Sequence, residues 1–227
     1  MSSVITFLLA FCMILLVECQ NANDRCSIDM DDTLEKVEWK TMHSNCTLEV
    51  KDQIKMEYNA AMIYLSLGVH FSRDFVNRPG FAKFFFESAS EERQHAIKLI
   101  EYLSMRGESV TDIAKLVKLD PETMPGMASV SLNGKEALEK ALQQEVLVTN
   151  NILKVMKACE NEEVKDAAWT LPNDYHLVDW LTAEFLDEQY KGQRDIAGKL
   201  STLLKMGSSN YHLGEFLFDK KLLSNEA

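Results

Sequence analysis

Helix-breaking residues are scarce in this 227-residue sequence, which has only four prolines and nine glycines. Long helices are therefore allowed, and a composition of 46% hydrophobic and 26% charged residues favours a globule over extended disorder. Bases are outnumbered, 24 against 35 acids, for a formal charge of −11. That balance argues against nucleic acid or an anionic membrane as partner; it raises the local concentration of cations and also serves solubility. No long apolar run occurs beyond residue 17, so nothing later in the chain reads as a membrane span. Short-period repeats and low-complexity tracts are missing too. The length suits one domain, or a smaller one with an extension, around a single core that buries about 70% of the chain's surface.

What is present begins with an apolar stretch of 14 residues, Val4 to Val17, too short to span a membrane comfortably. It leads into Val17-Glu18-Cys19, whose small or branched residues suit cleavage before Gln20, and residues 1–19 read as a secretory signal, although no Lys or Arg precedes the run. Its removal takes one acid, Glu18, and no base, so −11 becomes −10, and leaves Cys26, Cys46 and Cys159. An odd number of cysteines outside the cytosol requires an explanation. Asn45-Cys46-Thr47 is a glycosylation sequon, meaningful because of that signal. A bond at Cys46 would hinder the transferase.

Residues 20–46 are polar and without sustained period and read as an arm. Helical signals dominate residues 47–223. A first helix from Leu48 to Arg73 carries the stripe Ile54, Glu57, Ala61, Tyr64, Gly68 and Phe71, and Asn77-Arg78-Pro79-Gly80 breaks it. The second, from about Phe81 to Arg106-Gly107, carries Phe81, Phe84 or Phe85, Ser88, Glu92, His95, Leu99 and Leu103. Residues 108–134 are irregular, contain Pro121, Pro125 and Gly126, and are long enough to cross the length of a bundle. The third helix has Leu138, Leu142, Glu145, Thr149, Ile152, Met156 and Cys159 in its stripe and ends before an interruption from Asn161 to Asn173. The fourth runs from about Asp174 to Lys205 with Val178, Thr182, Phe185, Gln189, Ile196, Leu200 and Leu203 inward, and a short fifth from about Asn210 to Leu223. The expected fold is all-α: four long helices, a long crossover between the second and third, and a short terminal helix.

Each long helix thus carries a polar residue near the middle of an apolar stripe: Glu57 with Tyr64, Glu92 with His95, Glu145, and Gln189. An inward Glu-x-x-His reads as half a metal site, since a buried carboxylate needs a cation, a proton or hydrogen bonds. Alone it is weak, because chance supplies roughly 0.8 acid-x-x-His matches in a chain of this composition. All four helices together converge on one oxygen-rich layer. Hard oxygen donors with a single imidazole suit iron or manganese better than a closed zinc site. The alternative is a buried hydrogen-bond network without metal, which must hold three carboxylates with no inward Lys or Arg in the stripes.

Several segments resemble those of ferritins: Gln53-Ile-Lys-Met-Glu57 with Tyr64-Leu-Ser, Phe81-Ala-Lys-Phe84, Glu91-Glu-Arg-Gln-His95-Ala, Phe185-Leu-Asp-Glu-Gln189 and Leu217-Phe-Asp-Lys220. With the signal and cysteines, the chain is most similar to heavy-type subunits of secreted, insect-type ferritins. Ferritin-like bundles are themselves a standard example of helix-bundle metal sites. The resemblance implies a di-iron domain whose first iron is bound by Glu57, Glu92 and His95 and whose second is bound by Glu92 and Glu145. Gln189 would hydrogen-bond the bound water or oxygen species, and Tyr64 would stand beside the pair. It further implies oxidation of Fe(II) to Fe(III) by O2 and storage in a hollow 24-subunit shell shared with a light-type subunit. Departures from the family pattern are Gln94 and Ile97, where the family often adds glutamates for mineral nucleation, and Thr182, where an acid commonly follows the channel position matched by Asp179. The loops before the third and fourth helices are also longer than in cytosolic ferritins.

Within that bundle Cys46 lies about 16 Å before Glu57 along one helix, and Cys159 about 21 Å beyond Glu145 along its antiparallel neighbour. Both reach the same end, so a Cys46–Cys159 disulfide is expected, which leaves Cys26 to bond another subunit or to stay a free thiol. The rival readings are an inert structural subunit, which would need a substitution among Glu57, Glu92, His95 and Glu145, and a secreted four-helix signalling protein, which gains nothing from an inward polar layer.

Overall fold

The computed structural model describes residues 41–110, 132–160 and 173–224. The chain divides into two compact units, Met1–Trp39 and Lys40–Ala227, and the described residues all fall in the second. Residues 1–19, most of the arm including Cys26, and the middle of both long connections lie outside the described residues.

Helix α1 spans Ser44–Ser72, α2 Pro79–Met105 and α3 Gly134–Glu160. The fourth rod consists of α4, Tyr175–Leu181, a π-helical turn, Thr182–Leu186, and α5, Asp187–Met206; α6, Tyr211–Leu223, closes the bundle. Among the described residues there is no strand and no helix long and apolar enough to cross a membrane. With 29 residues, α1 is about 43 Å long.

The expected stripes are largely those that face inward. On α1, Ile54, Glu57, Ala61, Tyr64, Gly68 and Phe71 are all buried. The turn after α1 places Asn77 at φ 48°, a left-handed conformation that asparagine tolerates, and Pro79 begins α2 where its missing N–H is harmless.

The fourth rod departs from expectation. Thr182 is exposed, with its hydroxyl donating to the Val178 carbonyl, and the buried positions before Phe185 are Leu177 and Leu181. The π turn is the reason: it takes in one residue more than an α-helical turn, so the inward face N-terminal to it moves back by one position.

Two apolar clusters form the core. One holds Cys46, Val50, Ile54, Leu99, Leu103, Ile152, Cys159, Leu181 and Phe185; the other holds Tyr64, Phe71, Phe81, Phe85, Leu138, Ala141, Ile196, Leu203 and Phe218. Following the chain between them, α1 and α5 run from the first cluster to the second, and α2 and α3 run the opposite way. This up-down-down-up order makes α2 and α3 parallel, which is why a long connection must join them. The Cys46–Cys159 disulfide forms in the first turn of α1 and the last of α3, with Cα atoms 4.8 Å apart.

Helix α6 packs on α2 and α5 and uses two buried acids as caps. Asp219 Oδ1 accepts from Gly80 N at 2.8 Å and Phe81 N at 3.0 Å, and Glu215 accepts from Gly134 N at 2.9 Å and Arg78 Nε at 3.0 Å. Free N–H groups at the starts of α2 and α3 are satisfied this way. The approach is so close that a Cβ on Gly80 would stand 1.9 Å from the Asp219 carbonyl oxygen.

Candidate metal centre

The residues separating the two clusters are the polar ones. Glu57 comes from α1, Glu92 and His95 from α2, Glu145 from α3 and Gln189 from α5, and all five are buried. Glu57, Glu92 and His95 each bring a ligand atom to within 4.8 Å of the others. His95 Nδ1 lies 3.4 Å from Glu92 Oε2 and 3.9 Å from Glu57 Oε2. Glu145 and Gln189 stand outside this triad. Glu145 accepts a short hydrogen bond from the Tyr64 hydroxyl, and its charge is felt at Glu92.

Burial pushes the Glu57 carboxyl well above the usual carboxylate range, and the adjacent Glu92 adds to the effect. Glu92 is raised to about 8, first by burial, against a lowering hydrogen bond with Glu57 and with a further push from Glu145. Tyr64 is likewise raised, by burial and then by Glu145 and Glu92, so its phenol stays protonated and donates. A site in which three acids crowd one imidazole, two of them, Glu57 and Glu92, holding on to their protons, is short of positive charge. Glu57 Oε2 is buried without a hydrogen-bond partner. A hard divalent cation among these oxygens would answer both needs, and the donor set fits iron.

The surrounding groups hold the ligands in place. Gln53, one turn before Glu57, donates to Glu57 Oε1 at 2.7 Å and accepts from Asn151 Nδ2 at 2.6 Å. Thr149 Oγ1 is 2.9 Å from Gln189 Oε1 and accepts from Gln193 Nε2 at 2.6 Å. With its carbonyl engaged in this way, Gln189 has an NH2 left to donate. The outer nitrogen of His95, Nε2, meets Glu188 Oε2 at 3.3 Å, which favours the tautomer with its proton on Nε2 and a free lone pair on Nδ1. Gln53 was within reach of sequence reasoning, being four residues from Glu57. Glu188 is half-exposed, off the apolar stripe, and carries no periodic signal; neither does Asn151.

Residues 49–206 match the ferritin-like domain family. The chain belongs to the ferritin family. Its relatives include the ferritin heavy chain of Trichoplusia ni, 49% identical over 96% of this chain and 97% of that one. The ferritin heavy chain of Papilio xuthus is 53% identical over 82% of each chain. The crystal structure of Trichoplusia ni secreted ferritin has a TM-score of 0.75 at 49% identity, covering 88% of this chain and 98% of that chain. The chain is thus similar to ferritin heavy chains in sequence and to a secreted ferritin in fold, and it is an iron-storage ferritin subunit.

Proposed function

We propose that this chain is the ferroxidase subunit of a secreted, hollow 24-subunit ferritin, oxidising Fe(II) with O2 before the iron is stored. The observation that carries the reading is the buried triad of Glu57, Glu92 and His95 with Glu145 beside it and no ligand position substituted. Fe(II) is the substrate. Glu57, Glu92 and His95 hold the first ion, and Glu92 with Glu145 the second. Two Fe(II) ions supply two electrons to one dioxygen, enough to reduce it to hydrogen peroxide. Gln189 donates its NH2 to the oxygen species, and Tyr64 fixes Glu145 through its hydroxyl. Glu57 and Glu92 deliver their protons as the cations enter. Residues 1–19 act as the signal and 20–46 as the arm. Cys26 bonds a light-type subunit, and the helical domain, residues 47–223, builds the shell.

The test is stopped-flow absorbance after two Fe(II) per subunit are added in air to the assembled, metal-free protein. A fast phase blocked by pre-loaded Zn(II) is the expected result, with assembly kept but the fast phase lost in Glu92→Ala with His95→Ala. An unchanged initial rate in the double variant would overturn the site assignment. No fast phase in an intact wild-type shell would make the chain a structural subunit.

A further inference from the structure

A second phenol, remote from the ligands, is joined to them by a series of rings. His95 packs on Phe185 with centroids 5.4 Å apart, Phe185 on Trp180 at 5.2 Å, and Trp180 on Tyr102 at 4.4 Å with planes 29° apart. Tyr102 is buried, and its hydroxyl lies 2.8 Å from Nδ1 of His176, which is exposed at the bundle end.

The proton on that hydroxyl can be placed. Arg106 Nη1 approaches Tyr102 Oη at 2.9 Å while also holding Asp174 at 2.9 Å. A guanidinium only donates. Tyr102 therefore accepts from Arg106 and donates to His176, whose Nδ1 is left as a base. Burial raises the Tyr102 phenol above its ordinary range, although Arg106 pulls the other way, so at neutral pH it carries a proton and can lose an electron easily only if that proton has somewhere to go. His176 supplies the place. The Tyr64 hydroxyl donates instead to Glu145, a buried carboxylate within the metal centre and not at the surface. Ordinary aromatic packing requires neither an unbroken ring path from a ligand nor a surface base on the last phenol.

We propose that Phe185, Trp180 and Tyr102 form an outlet for stray oxidising equivalents, with Tyr102 the residue oxidised and His176 its proton acceptor. The inference rests on the ferroxidase reading. A lone Fe(II) that meets hydrogen peroxide gives Fe(III), hydroxide and a one-electron oxidant of the hydroxyl-radical class. That oxidant takes an electron from Trp180 across the Phe185 contact and becomes hydroxide. Tyr102 refills Trp180 as its O–H bond breaks, and the proton passes to His176 Nδ1. The net change is oxidant plus tyrosine plus imidazole to hydroxide plus tyrosyl radical plus imidazolium. A further Fe(II) returns the electron, becoming Fe(III), and the imidazolium returns the proton.

The experiment loads the assembled protein anaerobically with one Fe(II) per subunit, mixes it with hydrogen peroxide and freezes it for electron paramagnetic resonance. Fe(III) is read in the same samples, and a parallel sample is oxidised in air. An organic radical is expected that narrows when ring-deuterated tyrosine is incorporated, and that is lost in Tyr102→Phe and in Trp180→Phe while Fe(III) still forms. Both variants keep a ring in place, and peptide mapping should show oxidation of Trp180 rising in Tyr102→Phe above the wild type, because nothing there refills it. A radical that survives in Tyr102→Phe but vanishes in Tyr64→Phe, or Fe(III) formed with no organic radical, overturns the outlet and leaves the ferroxidase reading standing. No iron oxidation in air removes the ferroxidase reading and the outlet with it.

Discussion

Glu57 keeps one carboxylate oxygen for a cation because Gln53 has taken the other. Replacing Gln53 by Leu should therefore loosen the ligand without touching the metal, and weaken Zn(II) binding by about 10- to 100-fold in titration calorimetry. Glu92 gives a pH test in the metal-free protein. Its folded carboxyl titrates near 8 against an ordinary value of 4.5, so the folded state binds the proton more tightly than the unfolded one. That contribution to stability is present at low pH and lost as the pH rises toward about 8. Thermal midpoints of the metal-free protein should fall from about pH 5 to about pH 8, and saturating Zn(II) should remove the slope, since the cation takes the place of the proton. At this scale the ligands were legible because helical period alone puts Glu57, Glu92, His95 and Glu145 inside apolar stripes. Their supports were less so. Asn151 and Glu188 act from other helices, and no spacing within one helix reports on a partner across the bundle.

At the scale of elements, Asp219 ties α6 to the start of α2 by two backbone hydrogen bonds. Asp219→Ala would leave those N–H groups buried and uncapped, and should cost about 2 kcal/mol in denaturant unfolding. The Leu217-Phe-Asp-Lys220 segment is visible in sequence, as is a short helix around it. Where that helix docks is not, because capping of a distant N-terminus leaves no local pattern. The π turn was also hidden. It contains neither proline nor glycine, and a straight helix through Val178, Thr182 and Phe185 fits the period as well as the true path through Leu177 and Leu181. Only packing of the whole rod decides between them, since Phe185 and Gln189 are buried on either path.

Across the whole molecule, the order of the four rods was legible from helix count and connection length, and the cysteine pair from rod register. Both cysteines are buried, and their bond closes 113 residues. In the chain-entropy account such a closure is worth up to about 5 kcal/mol. Cys46→Ser with Cys159→Ser should lower the guanidinium midpoint accordingly, with iron oxidation rates retained by the shells that form. The same bond has a geometric result. It welds α1, α2 and α3 into one covalent hoop from which the fourth rod and α6 are excluded. Three walls of the metal centre, carrying Glu57, Glu92, His95 and Glu145, belong to the hoop, and the wall bearing Gln189 lies outside it, held to the others by packing and side-chain polar contacts. If this subunit breathes, it opens like a hinged door on the Gln189 side, with the iron ligands left behind in the frame.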